Sequence, residues 1–466
     1  MMDDGLPESD PAPPTAVLDQ SAAKSALVSR AMGVLVGRAG ILIVSFGFAV
    51  LVARILDPAR RGNFALLQAT NGLTVVLANF AIGGAVVYHL GKGRMSPRRA
   101  IGAASALAVL SGGIAALVLI PLALALRSRL FPDLAPALIT GAVVLAGPLL
   151  LREYVGGTLI ALGRPQRYVL SHAAQPVAAT AALAAILVAG TGSLAGVVWG
   201  WAIGITLSGL TALIMSIGLV GSRPQLERDD LLVLGRFGAR TYPALLARFL
   251  NLRLDQFLVR FLASASVLGQ YAVAVNVGEL LIQIPVVLLW ALSGAISSAD
   301  RDRSGDLVAE FCRWSLIILG IAAAAVAMLT PVGLPLAFGS RYRGAVGSVL
   351  LLLPGMICFA PATIIAEYFI VQRGRPGKAA LIAGVSMVTS AVLNFALTPT
   401  WGAAGASIAS SVSYAVMLLT AYLLFTRDTG MPVRMLLRVS REDLRIAVET
   451  IRNLGWRSGR QERILD

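Results

Sequence analysis

Arg38, Arg248, Arg253, Asp255 and Glu279 lie inside long apolar runs of the sequence. An ionisable side chain in hydrocarbon costs about 2.5–3.5 kcal/mol on insertion scales, so it normally faces a cavity or a partner. Helical spacing gives each one polar company. Ser45 shares a face with Arg38, and Gln68, Asn71 and Asn79 recur in the next run. Arg248, Asn251 and Asp255 form one stripe, with Arg253 off it; Asn276, Glu279 and Gln283 form another. Guanidinium forks match phosphate oxygens and keep their charge at any pH, so the chemistry suggested is capture of an oxyanion. Asp255 and Glu279 can hold the arginines while the anion is absent, or carry a proton or Na⁺. The plainer alternative is that these groups are permanent structural ion pairs.

The elements that must position them are membrane helices. The 466 residues are 57% hydrophobic and 14% charged, with a mean hydropathy of +0.79. Soluble domains carry roughly 25% charged residues. Apolar runs long enough to cross a bilayer recur along the chain, about twelve in all. They lie near 31–53, 64–88, 101–126, 138–161, 169–189, 194–219, 239–263, 267–296, 312–331, 345–372, 379–400 and 403–426. The connections after even-numbered runs hold 16 Arg and Lys, against 7 after odd-numbered runs. That bias places both chain ends in the cytoplasm. It also explains the basic composition, 39 Lys and Arg against 24 Asp and Glu, without nucleic acid as a partner. The polar residues 1–30 read as a disordered cytoplasmic tail, 221–238 as a cytoplasmic linker, and 427–466 as a cytoplasmic tail. In the last, Leu444, Ala447, Val448, Ile451 and Leu454 share one face, as an interfacial amphipathic helix requires.

Catalysis finds little support. There is no grouping of Ser, His and carboxylate for a nucleophile, and no extended loop to house an active site. Cys312 and Cys358, with His89 and His172, lack metal-ligand spacing. No cofactor or metal is implied, and the chain does not read as an enzyme.

The sequence repeats itself. Arg54, Gly62 and Asn63-Phe64-Ala65 are echoed by Arg260, Gly269 and Gln270-Tyr271-Ala272, with Gly62 and Gly269 207 residues apart. Gly163-Arg164-Pro165 returns as Gly374-Arg375-Pro376. Six spans therefore repeat as six, over 31–220 and 239–426. An even number gives both halves one orientation, the parallel-repeat plan of transporters with substrate held between halves. The expected fold is all-α and integral to the membrane, two six-helix repeats around a central cavity.

The stretches "LVARILDPARRGNFALL", "LDQFLVRFLASASVLGQYAVA" and "LNFALTPTWGAAGASIASSVSY" resemble the recurrent signatures of polysaccharide flippases. These are of the O-antigen and exopolysaccharide (Wzx) type, within the multidrug/oligosaccharidyl-lipid/polysaccharide exporter superfamily. The resemblance implies a bacterial inner-membrane protein that moves an undecaprenyl-pyrophosphate-linked oligosaccharide outward by alternating access. Its partners would be that glycolipid, the bilayer, H⁺ or Na⁺ as a coupling ion, and other glycan-assembly proteins. It assigns the pyrophosphate to Arg38, Arg248 and Arg253. Asp255, Glu279, Asn71 and Asn276 become polar cavity or coupling residues. Arg54 and Arg260, at the outward helix ends, become outer-gate candidates, although snorkelling to headgroups also explains them. Asp57 and Arg60-Arg61 depart from the usual "LGPEGFG" hairpin. Arg152-Glu153, Glu367 and His172 read as structural. The competing functions are a cation-coupled multidrug antiporter of the same superfamily and, more remotely, a membrane glycan polymerase or ligase.

Overall fold

A computed structural model of the chain describes residues 36–190, 192–297, 301–432 and 435; at 238–241, 243–245, 247–248, 284, 286–297 and 301–303 it describes the backbone alone. The expected tail 1–30 and the amphipathic face around Leu444 lie outside the described residues. The described residues are mostly helical, with no strand among them.

The expected spans map onto the helices in order. Span 1 is α1 (Val36–Ile55). Span 2 is α2 (Pro58–Asn79) with α3 (Ile82–Gly91), and span 3 is α4 (Pro97–Ala125). After the short α5 (Arg127–Leu130), span 4 comprises α6 (Pro136–Val144) and α7 (Ala146–Ala161). Spans 5 and 6 are α8 (Pro165–Val188) and α9 (Leu194–Val220). Spans 7 to 10 are α10 (Arg228–Leu262), α11 (Ala265–Ser297), α12 (Arg301–Phe338) and α13 (Gly344–Val371). α14 (Pro376–Thr429) runs through both remaining spans, interrupted at Gly402, whose φ of 55° and ψ of −128° are not helical. Among the described residues nine stretches, with α6 and α7 counted as one, are long and apolar enough to cross a membrane, ten with the bent α2–α3 pair taken as one span. Splitting α14 and adding the charged α10 makes the set compatible with twelve crossings. The expected linker 221–238 is helical from Arg228, because α10 starts there. Asp230 in its first turn receives a fork from Arg99 at 2.7 and 2.8 Å.

The echoed Gly-Arg-Pro tripeptides have one structural cause. Gly163 and Gly374 both take positive φ, 69° and 58°, as helix-ending glycines do. Pro165 and Pro376 then open the next helices, where a missing N–H costs nothing.

Pro285 lies inside α11, and Pro354 and Pro361 lie inside α13. α13 continues through its two. One residue after Pro354, the Ser411 hydroxyl from α14 enters the ladder. It accepts from the Gly355 N–H at 3.3 Å and donates to the Leu351 carbonyl at 2.5 Å.

Span 2 was expected to be continuous, and it is broken. α2 and α3 meet at 43°. Phe80 and Ala81 both adopt left-handed backbone, φ 42° and 51°, a conformation of order 1–3 kcal/mol above the usual one for non-glycine residues. Tertiary contacts hold it. Tyr242 of α10 stacks on Phe80 at 4.9 Å and donates to the Leu77 carbonyl at 3.2 Å. Asn79 Oδ1 accepts from the Ala81 N–H at 3.1 Å.

Candidate functional site

The α1–α2, α10–α11 and α12–α13 turns gather at one end of the molecule, called the hairpin end below. α2 and α11 cross there at backbone distance. A Cβ on Gly62 would lie 1.8 Å from the Ala265 carbonyl oxygen, and a Cβ on Gly269 1.8 Å from that of Pro58. The glycines that the repeat aligns therefore touch reciprocally, each against the other's helix. Arg54 Nε donates to the Ala337 carbonyl at 2.8 Å, and its Nη2 donates to that of Leu336. Arg260 reaches the other way, pairing with Asp133 at 3.2 Å. Tyr342 closes the seam by donating to the Leu56 carbonyl at 2.9 Å. Burial pushes its phenol up to about 12, so it remains a neutral donor. These contacts join the 31–220 and 239–426 segments at the hairpin end.

Below this seal lies a cavity of about 310 Å³. α1 forms one wall, from Ile41 through Ser45 to Val52. α2 contributes Arg61 and Gln68, α7 Arg152, α8 His172 and Gln175, α9 Trp201, and α11 Asn276. Among the described residues, both charged lining residues are arginines and no carboxylate lines the cavity.

Local sequence explains how Arg61 comes to lie inside. Asp57 caps α2, its carboxylate accepting from the Arg60 N–H at 2.9 Å, and Pro58 occupies the first turn. That fixes the phase of the helix. Arg60 faces out and pairs with Asp57 at 3.4 Å, both exposed. Arg61, one residue on, turns inward and is 2% exposed. Its Nε and Nη1 have no hydrogen-bond partner among the described residues. The guanidinium stands 5.6 Å from the Phe64 ring centroid.

Arg152 is neutralised instead. Its Nη2 meets Glu153 Oε1 at 2.9 Å and its Nη1 donates to Gln175 Oε1 at 2.5 Å. His172 Nε2 lies 3.4 Å from the same Glu153 oxygen.

Among the expected site residues, Asn276 stands in this wall, and its Nδ2 is buried without an acceptor. Arg38 is half-buried near the start of α1, within electrostatic reach of Tyr168 on α8. Arg253 pairs with Glu279 at 2.6 Å, and each remains about a third exposed, 32% and 35%. Asp255 is buried and accepts from the Tyr271 hydroxyl, which lies 2.9 Å from Ser410 Oγ; it also accepts from the Gln256 N–H at 2.7 Å. Asn71 is engaged by α6, donating to the Ala142 carbonyl at 2.9 Å. An amide packed between helices must find such a partner. The side chain of Arg248 lies outside the described residues.

From the sequence Arg61 reads as loop charge, and Arg152 and Glu153 read as structural residues whose side chains diverge; the structure turns Arg61 into the cavity wall and pairs Arg152 with Glu153. The departure of Arg60-Arg61 from the usual hairpin was the available signal.

The model of the polysaccharide biosynthesis protein family matches residues 31–297, more than half of the chain. The chain belongs to that family. A comparison with curated protein sequences gives no match. Solved structures show where this polysaccharide biosynthesis protein sits by fold. It is similar to the inward-facing conformation of a multidrug resistance MATE family transporter of the MOP superfamily. The TM-score is 0.68 at 13% identity, over 84% of this chain and 94% of that one. The lipid II flippase MurJ, in an inward closed conformation, gives 0.67 at 12% identity, over 88% and 90%. A MOP superfamily transporter from Pyrococcus furiosus, described as having a binding pocket of reverse polarity, gives 0.62 at 13%, over 86% and 94%. The family is therefore that of polysaccharide biosynthesis proteins, and the fold is the one seen in these MOP-superfamily structures, as the resemblance implied.

Proposed function

We propose that this family member flips an undecaprenyl-pyrophosphate-linked oligosaccharide from the cytoplasmic to the outer leaflet of a bacterial plasma membrane. The observation that carries the reading is the cavity wall, where among the described residues the charged lining groups are Arg61, which is unpaired, and Arg152, which is paired with Glu153 behind the wall, with no carboxylate in the lining. Such a wall suits an anionic, hydroxyl-rich headgroup and opposes an organic cation. Loop charge assigns the hairpin end to the outside and both termini to the cytoplasm. The sealed hairpin end then corresponds to a state closed outward.

The diphosphate is assigned to Arg38, Arg248 and Arg253. Arg253 and Glu279, a third exposed, can separate when an anion competes for the guanidinium. Glu279 is better placed than Asp255 to bind a coupling proton or Na⁺, because Asp255 already holds Tyr271 and a backbone N–H. The prenyl tail stays in lipid while the headgroup crosses through the polar route. With the interior negative, moving the anion outward is downhill by about 2.3 kcal/mol per charge per 100 mV. Rocking of the 31–220 half against the 239–426 half would alternate access, with Arg54 and Arg260 releasing at the outer gate.

The test is reconstitution in proteoliposomes. Translocation of a fluorescent undecaprenyl-diphosphate oligosaccharide is measured beside efflux of a cationic dye. Glycolipid translocation that falls at least tenfold in Arg253→Ala is expected. Dye efflux with no glycolipid movement would replace this function with drug export.

A further inference from the structure

We propose that Arg61 and Asn276 form an oxyanion subsite at the sealed end of the cavity, which takes the carboxylate of an acidic sugar in the transported glycan. The proposal rests on the flippase reading and names the class of glycan.

Two buried donor groups without acceptors among the described residues belong to side chains in the wall of one void, Arg61 Nε and Nη1 and Asn276 Nδ2. Buried donors are normally paired, and a buried guanidinium carries a heavy desolvation cost when it is not. The nearest opposite charge does not meet that need. Glu279 acts on Arg61 only at a distance, while its Oε1 is taken by Arg253 at 2.6 Å. The fold does not require a cation here either. The repeat places Leu268 opposite Arg61, and Leu268 is fully buried in the same kind of helix start. A positive charge in the first turn of α2 also opposes the helix dipole.

What completes the site must accept hydrogen bonds and carry negative charge. A sugar hydroxyl would satisfy Asn276 but leave the guanidinium charge uncompensated. A carboxylate supplies both, with about four lone-pair sites for the donors. Position separates it from the diphosphate. The cavity runs along α1 from Ile41 to Val52, roughly 16 Å at 1.5 Å per residue. Arg61 belongs to the end closed by the Gly62–Gly269 crossing. The diphosphate is tethered to a prenyl chain that remains in lipid. The group that reaches the closed end therefore belongs to the glycan.

The test uses the full-length protein in nanodiscs, with quenching of tryptophan fluorescence as the readout, since Trp201 lines the cavity. Four probes are titrated: undecaprenyl-diphosphate trisaccharide ending in glucuronate, the same glycolipid with the carboxyl reduced to an alcohol, undecaprenyl diphosphate alone, and inorganic pyrophosphate. Wild type is expected to bind the acidic glycolipid at least tenfold tighter than the reduced one. In Arg61→Gln that ratio falls to near one, and Arg61→Lys restores part of it. The unfolding temperature of Arg61→Gln should equal or exceed that of wild type. A wild-type ratio near one overturns the proposal. So does a ratio unchanged by Arg61→Gln, or an Arg61→Gln loss equally large for undecaprenyl diphosphate alone or inorganic pyrophosphate, which would make Arg61 a diphosphate residue. If wild type binds none of the three lipid-linked probes, the flippase reading itself falls, an outcome distinct from these.

Discussion

Arg61 and Leu268 hold the same place in the two repeats, one residue before the glycines that cross. The helices around them have diverged in how they treat polarity. In the 31–220 half, polar groups open onto a cavity, and two arginines stand in its wall. In the 239–426 half, the charged groups on α10 and α11 near the cavity are taken up within the protein. Arg253 is matched by Glu279, and Asp255, Tyr271 and Ser410 form a closed chain of hydrogen bonds. The first repeat thus keeps an unpaired guanidinium at the cavity, to which the second adds the Nδ2 of Asn276, while Arg253 and Glu279 of the second pair with each other.

Several substitutions would break or sharpen that contrast. The largest effect is expected where the halves share a constraint. Gly62→Val puts atoms where the Ala265 carbonyl oxygen already lies, and overpacking of this kind costs about 1–3 kcal/mol or more. The expected outcome is loss of glycolipid translocation by at least tenfold in proteoliposomes, and Gly269→Val should match it. Full activity in either variant would show that the crossing is not part of the cycle. Arg61→Leu makes the first repeat resemble the second. Replacing a buried, unpaired charge with an apolar side chain should raise stability by about 1–4 kcal/mol, read from the unfolding midpoint in detergent. A lowered midpoint would mean that Arg61 is a structural residue. Asp255→Ala opens the closed chain of the second half. It removes the acceptor of Tyr271 and of the Gln256 N–H, for an expected loss of about 1–3 kcal/mol in the same measurement. The smallest effect belongs to Arg260 and Asp133. Asp133 is 61% exposed, so a double-mutant cycle of Arg260→Gln with Asp133→Asn should give a coupling of only about 0.2–1 kcal/mol.

The candidate site was legible in part. Asn276 was found from helical spacing, because a polar residue recurring on one face of an apolar helix has few explanations. Arg253 and Glu279 were recognised as charges needing a partner, and they proved to be each other's. Asn71 shows the limit. It lies on the same kind of stripe as Gln68, yet its amide bonds to α6 while Gln68 lines the cavity. Spacing along one helix says which residues share a face; it does not say which neighbour that face meets. Arg61 was hidden for a related reason. Next to Arg60 and Asp57 it looked like loop charge, and only the cap at Asp57 sets the helical phase that turns one arginine out and the next one in.

Length and hydropathy alone determined that this chain crosses a membrane many times, because no water-soluble fold could hide so much apolar surface. The repeated glycines and the Gly-Arg-Pro caps likewise announced two similar halves, since tight crossings and helix ends demand particular residues at fixed offsets. Only the tertiary structure decided where the helices break and which charges stay unpaired. Phe80 and Ala81 carry no local signal for a left-handed turn; Tyr242, 161 residues further on than Ala81, helps hold them there. Whether a buried guanidinium finds an acceptor depends on what other helices bring beside it, and that is a property of packing rather than of any stretch of sequence.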